Sequence, residues 1–314
     1  MRYYFAPLEG VTDSIYRRIH HKYFPGVDRY YMPFISPTIH RTLTHKEDRE
    51  LPMADSVDFV AIPQVLTKVP EDFLWAAQVC RDRGYDEVNL NVGCPSGTVV
   101  SKGKGAGMLR DPEGLDRFLD EVFRKCPVET SVKTRLGVET PEEFEKIMAV
   151  FNRYPIKELT IHPRVRKDFY KEPVREEWFR YGWENSKNPL CYNGNLITLA
   201  DCEAVSQRYP GVEAVMLGRA LIGDPGMLTP GGTTAKALKN FHEELTEGYV
   251  EAFGSARNAM FRLKENWHFL YLRFESSEKL WKRLRKTTDI DEFRAITTEM
   301  FDTLPLANEL RADW

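Results

Sequence analysis

Short runs rich in β-branched and aromatic residues recur through the first two thirds of the chain, at residues 3–8, 29–34, 59–66, 87–93, 129–135, 158–164, 190–195 and 214–221. Runs of this composition and length predict strands. Between most of them lie amphipathic stretches with helix-entry signals. Pro70-Glu71-Asp72 opens the stretch to Arg83, Asp111-Pro112-Glu113 that to Arg124, and Thr140-Pro141-Glu142-Glu143 that to Asn152. Strand then helix, repeated, predicts a parallel sheet covered by helices, and about eight strands is the number that closes such a sheet into a barrel. An open doubly wound sheet alternates in the same way. It usually advertises itself by Gly-x-Gly-x-x-Gly after the first strand, and no such turn follows Leu8.

The β-rich runs stop near Pro230. From Thr234 to Trp314 apolar and aromatic residues recur at helical spacing, among them Phe261, Trp267, Phe269, Leu270 and Trp281. The expected architecture is therefore α/β, a TIM (β/α)8 barrel over residues 1–230 followed by a small all-helical domain over residues 234–314. Pro230-Gly231-Gly232 would be the hinge. A length of 314 residues, more than one ordinary core fills, agrees with a barrel plus an appendage.

Composition narrows the class less than the pattern does. Five cysteines, at 80, 94, 126, 191 and 202, are odd in number and show no Cys-x-x-Cys spacing, so free thiols and no metal site are expected. The chain opens on a strand-like run rather than a charged leader, and no apolar run is long enough to span a bilayer. A cytoplasmic location without membrane contact is the expectation. The net charge of −3 argues against coating nucleic acid through bulk charge but leaves room for a local basic patch.

In a barrel of this kind the C-terminal strand ends build the active site. Here they are unusually polar: Glu9, Gln64, Asn91 with Cys94, Lys133 with Arg135, His162 with Arg164, Asn193 with Asn195, and Gly218 with Arg219. The last two ends suggest an anion site, with Gly194 and Gly218 allowing close backbone approach and Arg219 offering a fork of donors to phosphate oxygens. The weaker alternative is that those glycines only serve tight turns. Lys133 has apolar or small neighbours and would point into the barrel mouth, either to supply positive charge to an anionic ring or to pair with a barrel carboxylate. Cys94 lies just past a strand in Asn91-Val92-Gly93-Cys94-Pro95-Ser96, followed by Gly103-Lys104-Gly105-Ala106-Gly107, a loop position suited to proton transfer or nucleophilic attack. Cys80, Cys126, Cys191 and Cys202 lack that context and read as core or helix-face residues.

With these residues assembled, the sequence resembles the tRNA-dihydrouridine synthases along nearly its whole length. The likeness is carried by Ala6-Pro7-Leu8-Glu9-Gly10-Val11-Thr12-Asp13, Gln64-Val65-Leu66, the Cys94 block, Val132-Lys133-Thr134-Arg135-Leu136-Gly137, Ile161-His162-Pro163-Arg164, Asn193-Gly194-Asn195 and Met216-Leu217-Gly218-Arg219. The resemblance implies a barrel that binds FMN, a helical RNA-binding domain, and NADPH as reductant. It places Pro7, Leu8 and Glu9 beside the isoalloxazine ring, Gln64 and Lys133 on its polar edge, and His162 near the ring and ribityl chain. Asn193, Gly194, Asn195, Gly218 and Arg219 would hold the phosphate. Asn91 and Cys94 would face the uracil, with Arg135 on the substrate side. The implied chemistry is hydride transfer from flavin N5 to C6 of a uridine, with the Cys94 thiol protonating C5.

A uridine stacked in folded RNA is unreachable, so base extraction is expected. Lys102 and Lys104 on the cysteine loop are placed to meet RNA near the target base. Lys279, Lys282, Arg283, Arg285 and Lys286 around Trp281, with Arg257, Arg262 and Lys264, offer a phosphate-neutralising surface. A monomer is expected, since tRNA must reach the barrel mouth. Departures from the family pattern fall at Pro163 and Val165, where Gly and Thr are common, and at Val92, often a cysteine. Two rivals are a flavin barrel reductase acting on a free pyrimidine, which has no use for a basic helical domain, and an RNA-binding barrel without catalysis.

Overall fold

A computed structural model describes residues 1–312; the last two residues of the expected helical domain, 313 and 314, lie outside the described residues. Nine parallel strands form one sheet: β1 (Arg2–Phe5), β2 (Arg29–Tyr31), β3 (Ala61–Ile62), β4 (Gln64–Val65), β5 (Glu87–Val92), β6 (Glu129–Arg135), β7 (Leu159–His162), β8 (Leu190–Asn193) and β9 (Ala214–Leu217), in the order β3-β2-β1-β9-β8-β7-β6-β5-β4. The two ends of that order are halves of the single 59–66 run, divided at Pro63, which has no N–H to give the ladder. The run is bonded on both sides nonetheless. Ile35 donates to the Gln64 carbonyl at 2.8 Å, and Asn89 donates to the Pro63 carbonyl at 2.8 Å. The circle is therefore closed, and the fold is the expected barrel rather than an open sheet.

Side chains alternate in and out along each strand. Tyr4, Ala6, Tyr31, Ile62, Cys191, Ala214 and Met216 fill the interior, while Phe5, Tyr30, Val215 and Leu217 join the larger core under the surrounding helices. Those helices begin where the entry signals lie. Pro70–Asp82 and Pro112–Lys125 start on proline, the second capped by Asp111, and Glu143–Phe151 follows Pro141.

The helices after the barrel share its core. Ala235–Phe253 is capped by Thr234 and ends at Gly254, whose φ of 55° suits the left-handed turn of a helix terminus. It lies along Ser14–Tyr23, where Phe241 meets Tyr16 and Phe24 at 5.5 and 5.2 Å and Lys22 pairs with Glu244 at 2.5 Å. Ala256–Leu270 packs on the short Arg219–Gly223 helix so closely that a Cβ on Gly223 would meet Leu310 at 2.9 Å and the Phe269 carbonyl at 3.3 Å. One hydrophobic cluster runs from the barrel into these helices. Among the described residues, no helix is long and apolar enough to cross a membrane.

Asp13 ties the two regions together. It caps Ser14–Tyr23 by accepting from the Tyr16 amide at 3.0 Å, accepts the Tyr249 hydroxyl at 3.2 Å, and draws Arg262 to 3.8 Å. Loss of a helix cap plus a buried hydrogen bond is expected to make Asp13→Ala about 2 kcal/mol less stable, measured by urea unfolding, with Asp13→Asn closer to wild type.

Candidate active site

At the C-terminal ends of the strands a cavity of about 340 Å³ opens, of the size that takes a small molecule. Ten of the residues singled out from the sequence line it: Pro7, Leu8, Lys133, His162, Arg164, Asn193, Gly194, Asn195, Gly218 and Arg219. They meet because each lies near or just beyond the C-terminal end of a strand of one closed barrel. Tyr170 from the loop after β7 joins them, as do His268 and Phe269 from Ala256–Leu270. Lys133, Arg164 and Arg219 bring three cations to the wall, and no Asp or Glu is among the described lining residues.

Two of these cations, Lys133 and Arg164, are held by neutral acceptors. Lys133 Nζ donates to Asn193 Oδ1 at 2.8 Å, and Asn193 Nδ2 donates to the Met216 carbonyl at 2.7 Å, so the amide is locked between β6 and β9. Burial, with Arg135 close by, lowers the Lys133 ammonium to about 8. The lysine thus has an amide partner rather than the barrel carboxylate that was the alternative. Arg164 reaches three acceptors: the Glu172 carbonyl at 2.5 Å, His162 Nε2 at 2.9 Å and Asn195 Oδ1 at 2.8 Å. A guanidinium can only donate, so His162 is neutral with its proton on Nδ1. Burial and the surrounding cations Arg135, Lys133, Arg164 and Arg219 hold its pKa well below the ordinary imidazole value.

Backbone approach is open where glycine stands. A Cβ on Gly194, at φ 135°, would meet Val174 at 2.9 Å and His162 at 3.0 Å. Asn195 also adopts a left-handed φ, of 50°, which turns its side chain back to Arg164. Arg219 stands under the ring of Tyr170 at 4.8 Å, and Arg135 faces the same ring at 5.2 Å.

Gln64 and Asn91 do not line the cavity. They belong to a buried chain of amides beneath the Cys94 loop. Asn91 Oδ1 accepts the Gly93 and Cys94 amides at 3.1 and 2.9 Å, and Asn91 Nδ2 donates to Gln64 Oε1 at 2.8 Å. Gln64 Nε2 donates to Asn89 Oδ1 at 2.8 Å, and Asn89 Nδ2 to Ser131 Oγ at 3.0 Å. Bonds running in one direction polarise one another and fix the backbone that carries the thiol. A Cβ on Gly105, at φ 55°, would meet the Cys94 carbonyl at 2.9 Å, so the following turn folds back on the cysteine. Arg166 Nε donates to the Pro95 carbonyl at 3.2 Å from the other side. Cys94 is half-buried, and burial raises its thiol pKa, opposed by the Ser96 amide and by Arg135 and Lys133.

Four other candidates stand apart from the cavity wall. Glu9 is half-exposed and paired with Lys46. Lys104 donates to Ser36 Oγ at 3.2 Å, whereas Lys102 is exposed. Arg135 is 1% exposed, gives Nη1 to the Val165 carbonyl at 3.1 Å, and leaves Nη2 buried without a hydrogen-bond partner. Arg164 was legible as a polar strand end, but its part as the hub of the wall was not, and nothing in the local sequence signalled Tyr170, His268 or Phe269.

A family model described as dihydrouridine synthase matches residues 4–312. The chain belongs to the dihydrouridine synthase family. Membership makes it a flavin-dependent oxidoreductase. Relatives in the family include tRNA-dihydrouridine synthase B of Proteus vulgaris, 29% identical over 222 residues that cover 70% of this chain and 67% of the relative. The tRNA-dihydrouridine(16) synthase of Neisseria meningitidis serogroup B is 26% identical over 317 residues, covering 94% of this chain and 93% of the relative. Among solved structures, morphinone reductase shares the barrel fold with a TM-score of 0.53 at 13% identity, covering 72% of this dihydrouridine synthase family member and 84% of that chain.

Proposed function

We propose that the protein is a tRNA-dihydrouridine synthase that holds FMN in the cationic cavity, uses NADPH as reductant, and acts as a monomer to saturate the C5=C6 bond of a uridine. The observation that carries the reading is a barrel-mouth wall with Lys133, Arg164 and Arg219 and no carboxylate among its described residues, together with a loop that carries the half-buried, free Cys94 thiol. Such a wall favours a ligand with an anionic phosphate and an anionic ring edge. Arg219, Gly218, Gly194 and Asn195 are suited to the phosphate, and Lys133 to the ring edge, with Pro7 and Leu8 as apolar flank. When bound, the flavin supplies the hydride to C6 of the uracil.

The chain's own residues do the rest. Cys94 delivers the proton to C5, and the Asn91 side-chain Oδ1, accepting the Cys94 amide, holds its backbone still while it does so. Arg135, buried against the Tyr170 ring, would add positive charge on the substrate side. Lys102 stands exposed on the same loop to meet RNA phosphate. Two relatives that align along both barrel and helical region are named tRNA-dihydrouridine(16) synthases, which supports that position as the target.

The test is an absorbance spectrum of the purified protein, then NADPH and unmodified tRNA transcript, with dihydrouridine mapped by mass spectrometry. Yellow protein and a gain of two hydrogens at a uridine support the reading. Yellow protein inert toward tRNA overturns the substrate, and protein that stays colourless with added FMN overturns the cofactor.

Lys133 gives a separate expectation. Its ammonium is protonated below about 8 and loses its charge above, so the rate of flavin reduction by NADPH should fall as pH rises through that value in wild type. Lys133→Met should be slower by about tenfold and lose this inflection, while Lys133→Arg keeps the charge, measured by stopped-flow absorbance.

A further inference from the structure

The helical region carries another concave surface, sharing no lining residue with the cavity, that the proposed chemistry does not use. Its groove, about 390 Å³, is lined by Phe253, Asn258, Phe261, Arg262 and Glu265. Phe261 is 46% exposed, a large aromatic face left in water. Cations stand at both rings: Arg257 and Lys264 at 5.7 and 5.6 Å from Phe261, and Arg49 and Arg262 at 5.4 and 6.0 Å from Phe253. Four cations around two rings form a local basic surface on a chain whose net charge is −3. Two carboxylates are close, Asp13 at 3.8 Å from Arg262 and Glu265 in the groove itself.

We propose that this groove is a second nucleotide site, which stacks an unpaired base of the substrate RNA while the target uridine occupies the barrel cavity. The inference rests on the reading of RNA as substrate. Aromatic faces with flanking cations suit base and phosphate together, because every base has a face to stack and every nucleotide a charge to neutralise. The Asn258 amide and the Glu265 carboxylate add a donor and acceptors for a base edge.

Continuity with the cavity supports this occupant. Along Ala256–Leu270 the residues Arg257, Phe261, Lys264 and His268 are spaced by four, three and four, so they share one helix face, and His268 is itself part of the cavity wall. Seven residues separate Phe261 from His268, about 10 Å along the axis. From the other side, Arg262 Nη1 lies 2.8 Å from where a Cβ on Gly10 would stand, two residues beyond the cavity-lining Leu8. A strand of RNA on this face would run from the groove to the cavity mouth along a track of alternating aromatic and basic side chains.

The experiment compares wild-type holoenzyme with Phe261→Ala, a substitution at an exposed position. Steady-state kinetics would vary tRNA transcript at saturating NADPH. The site predicts a KM for tRNA raised about tenfold, the loss of one base–aromatic stack, with kcat and flavin reduction by NADPH unchanged. Phe261→Trp should restore the KM and Phe261→Leu should not. An unchanged KM in Phe261→Ala, or equal rescue by leucine, overturns the second site while wild-type turnover preserves the substrate reading. Wild-type holoenzyme that leaves tRNA unmodified overturns both.

Discussion

Replacing Cys94 with alanine is expected to cut dihydrouridine formation by about 10²–10⁴-fold, the usual worth of a general acid, while FMN still binds and NADPH still reduces it. The thiol is half-buried, and burial raises its pKa above the ordinary thiol value despite the Ser96 amide, Arg135 and Lys133 pulling the other way. It therefore enters the reaction protonated at neutral pH, as an acid must and a thiolate nucleophile would not. The sign of the pH dependence follows. Product formation should hold from neutral pH upward and then fall as pH rises through the raised thiol pKa, because the proton to be given is lost. Cys94→Ser keeps a weaker donor in place and should lie between alanine and wild type. Single-turnover assays with pre-reduced enzyme isolate the step, and full product from Cys94→Ala would remove the thiol from the mechanism.

Arg219→Ala is expected to weaken FMN binding about a hundredfold and to yield protein that purifies colourless. Two charge-assisted hydrogen bonds to a phosphate, each of about 1.5 kcal/mol, account for that factor. Burial lowers the Arg219 pKa to about 10; the phenol of Tyr170 opposes the fall, and Arg164 and Arg135 add to it. The guanidinium stays charged at neutral pH among other cations, an arrangement relieved by an anion. Arg219→Lys keeps the charge but not the fork, so it should recover only part of the affinity. Fluorescence quenching of FMN titrated into apoprotein measures both variants, and wild-type affinity in Arg219→Ala would move the phosphate elsewhere.

Much of this site could be read before any coordinates, because a barrel turns sequence order into spatial order. Once β1, β6, β7, β8 and β9 are parallel neighbours, their C-terminal ends must share one mouth, and Pro7, Lys133, His162, Asn193 and Gly218 come together. The same logic misjudged depth. Gln64 and Asn91 lie near strand ends too, yet they sit beneath the loop as its scaffold, since a loop that folds back over a strand end buries it. Glu9 turns outward to Lys46, and Lys104 to Ser36, contacts between distant segments whose approach no local pattern announces.

The chain's hydrophobic periodicity, its prolines and its turn glycines settled the kind and order of the elements, because these preferences act over a few neighbouring residues. The break of the third run at Pro63 was not among the sequence expectations, although a residue without an N–H marks it. Which side chains face the ligand was decided by packing between distant segments. His268 and Phe269 reach the cavity because Ala256–Leu270 docks on Arg219–Gly223 without room for a Cβ at Gly223. Tyr170, from the loop after β7, stands against Arg135 and Arg219 because two other strands, β6 and β9, bring those cations to one point. The neutral state of His162 is likewise a property of the assembled wall, set by Arg164 at its Nε2 and by four cations that no stretch of sequence brings together.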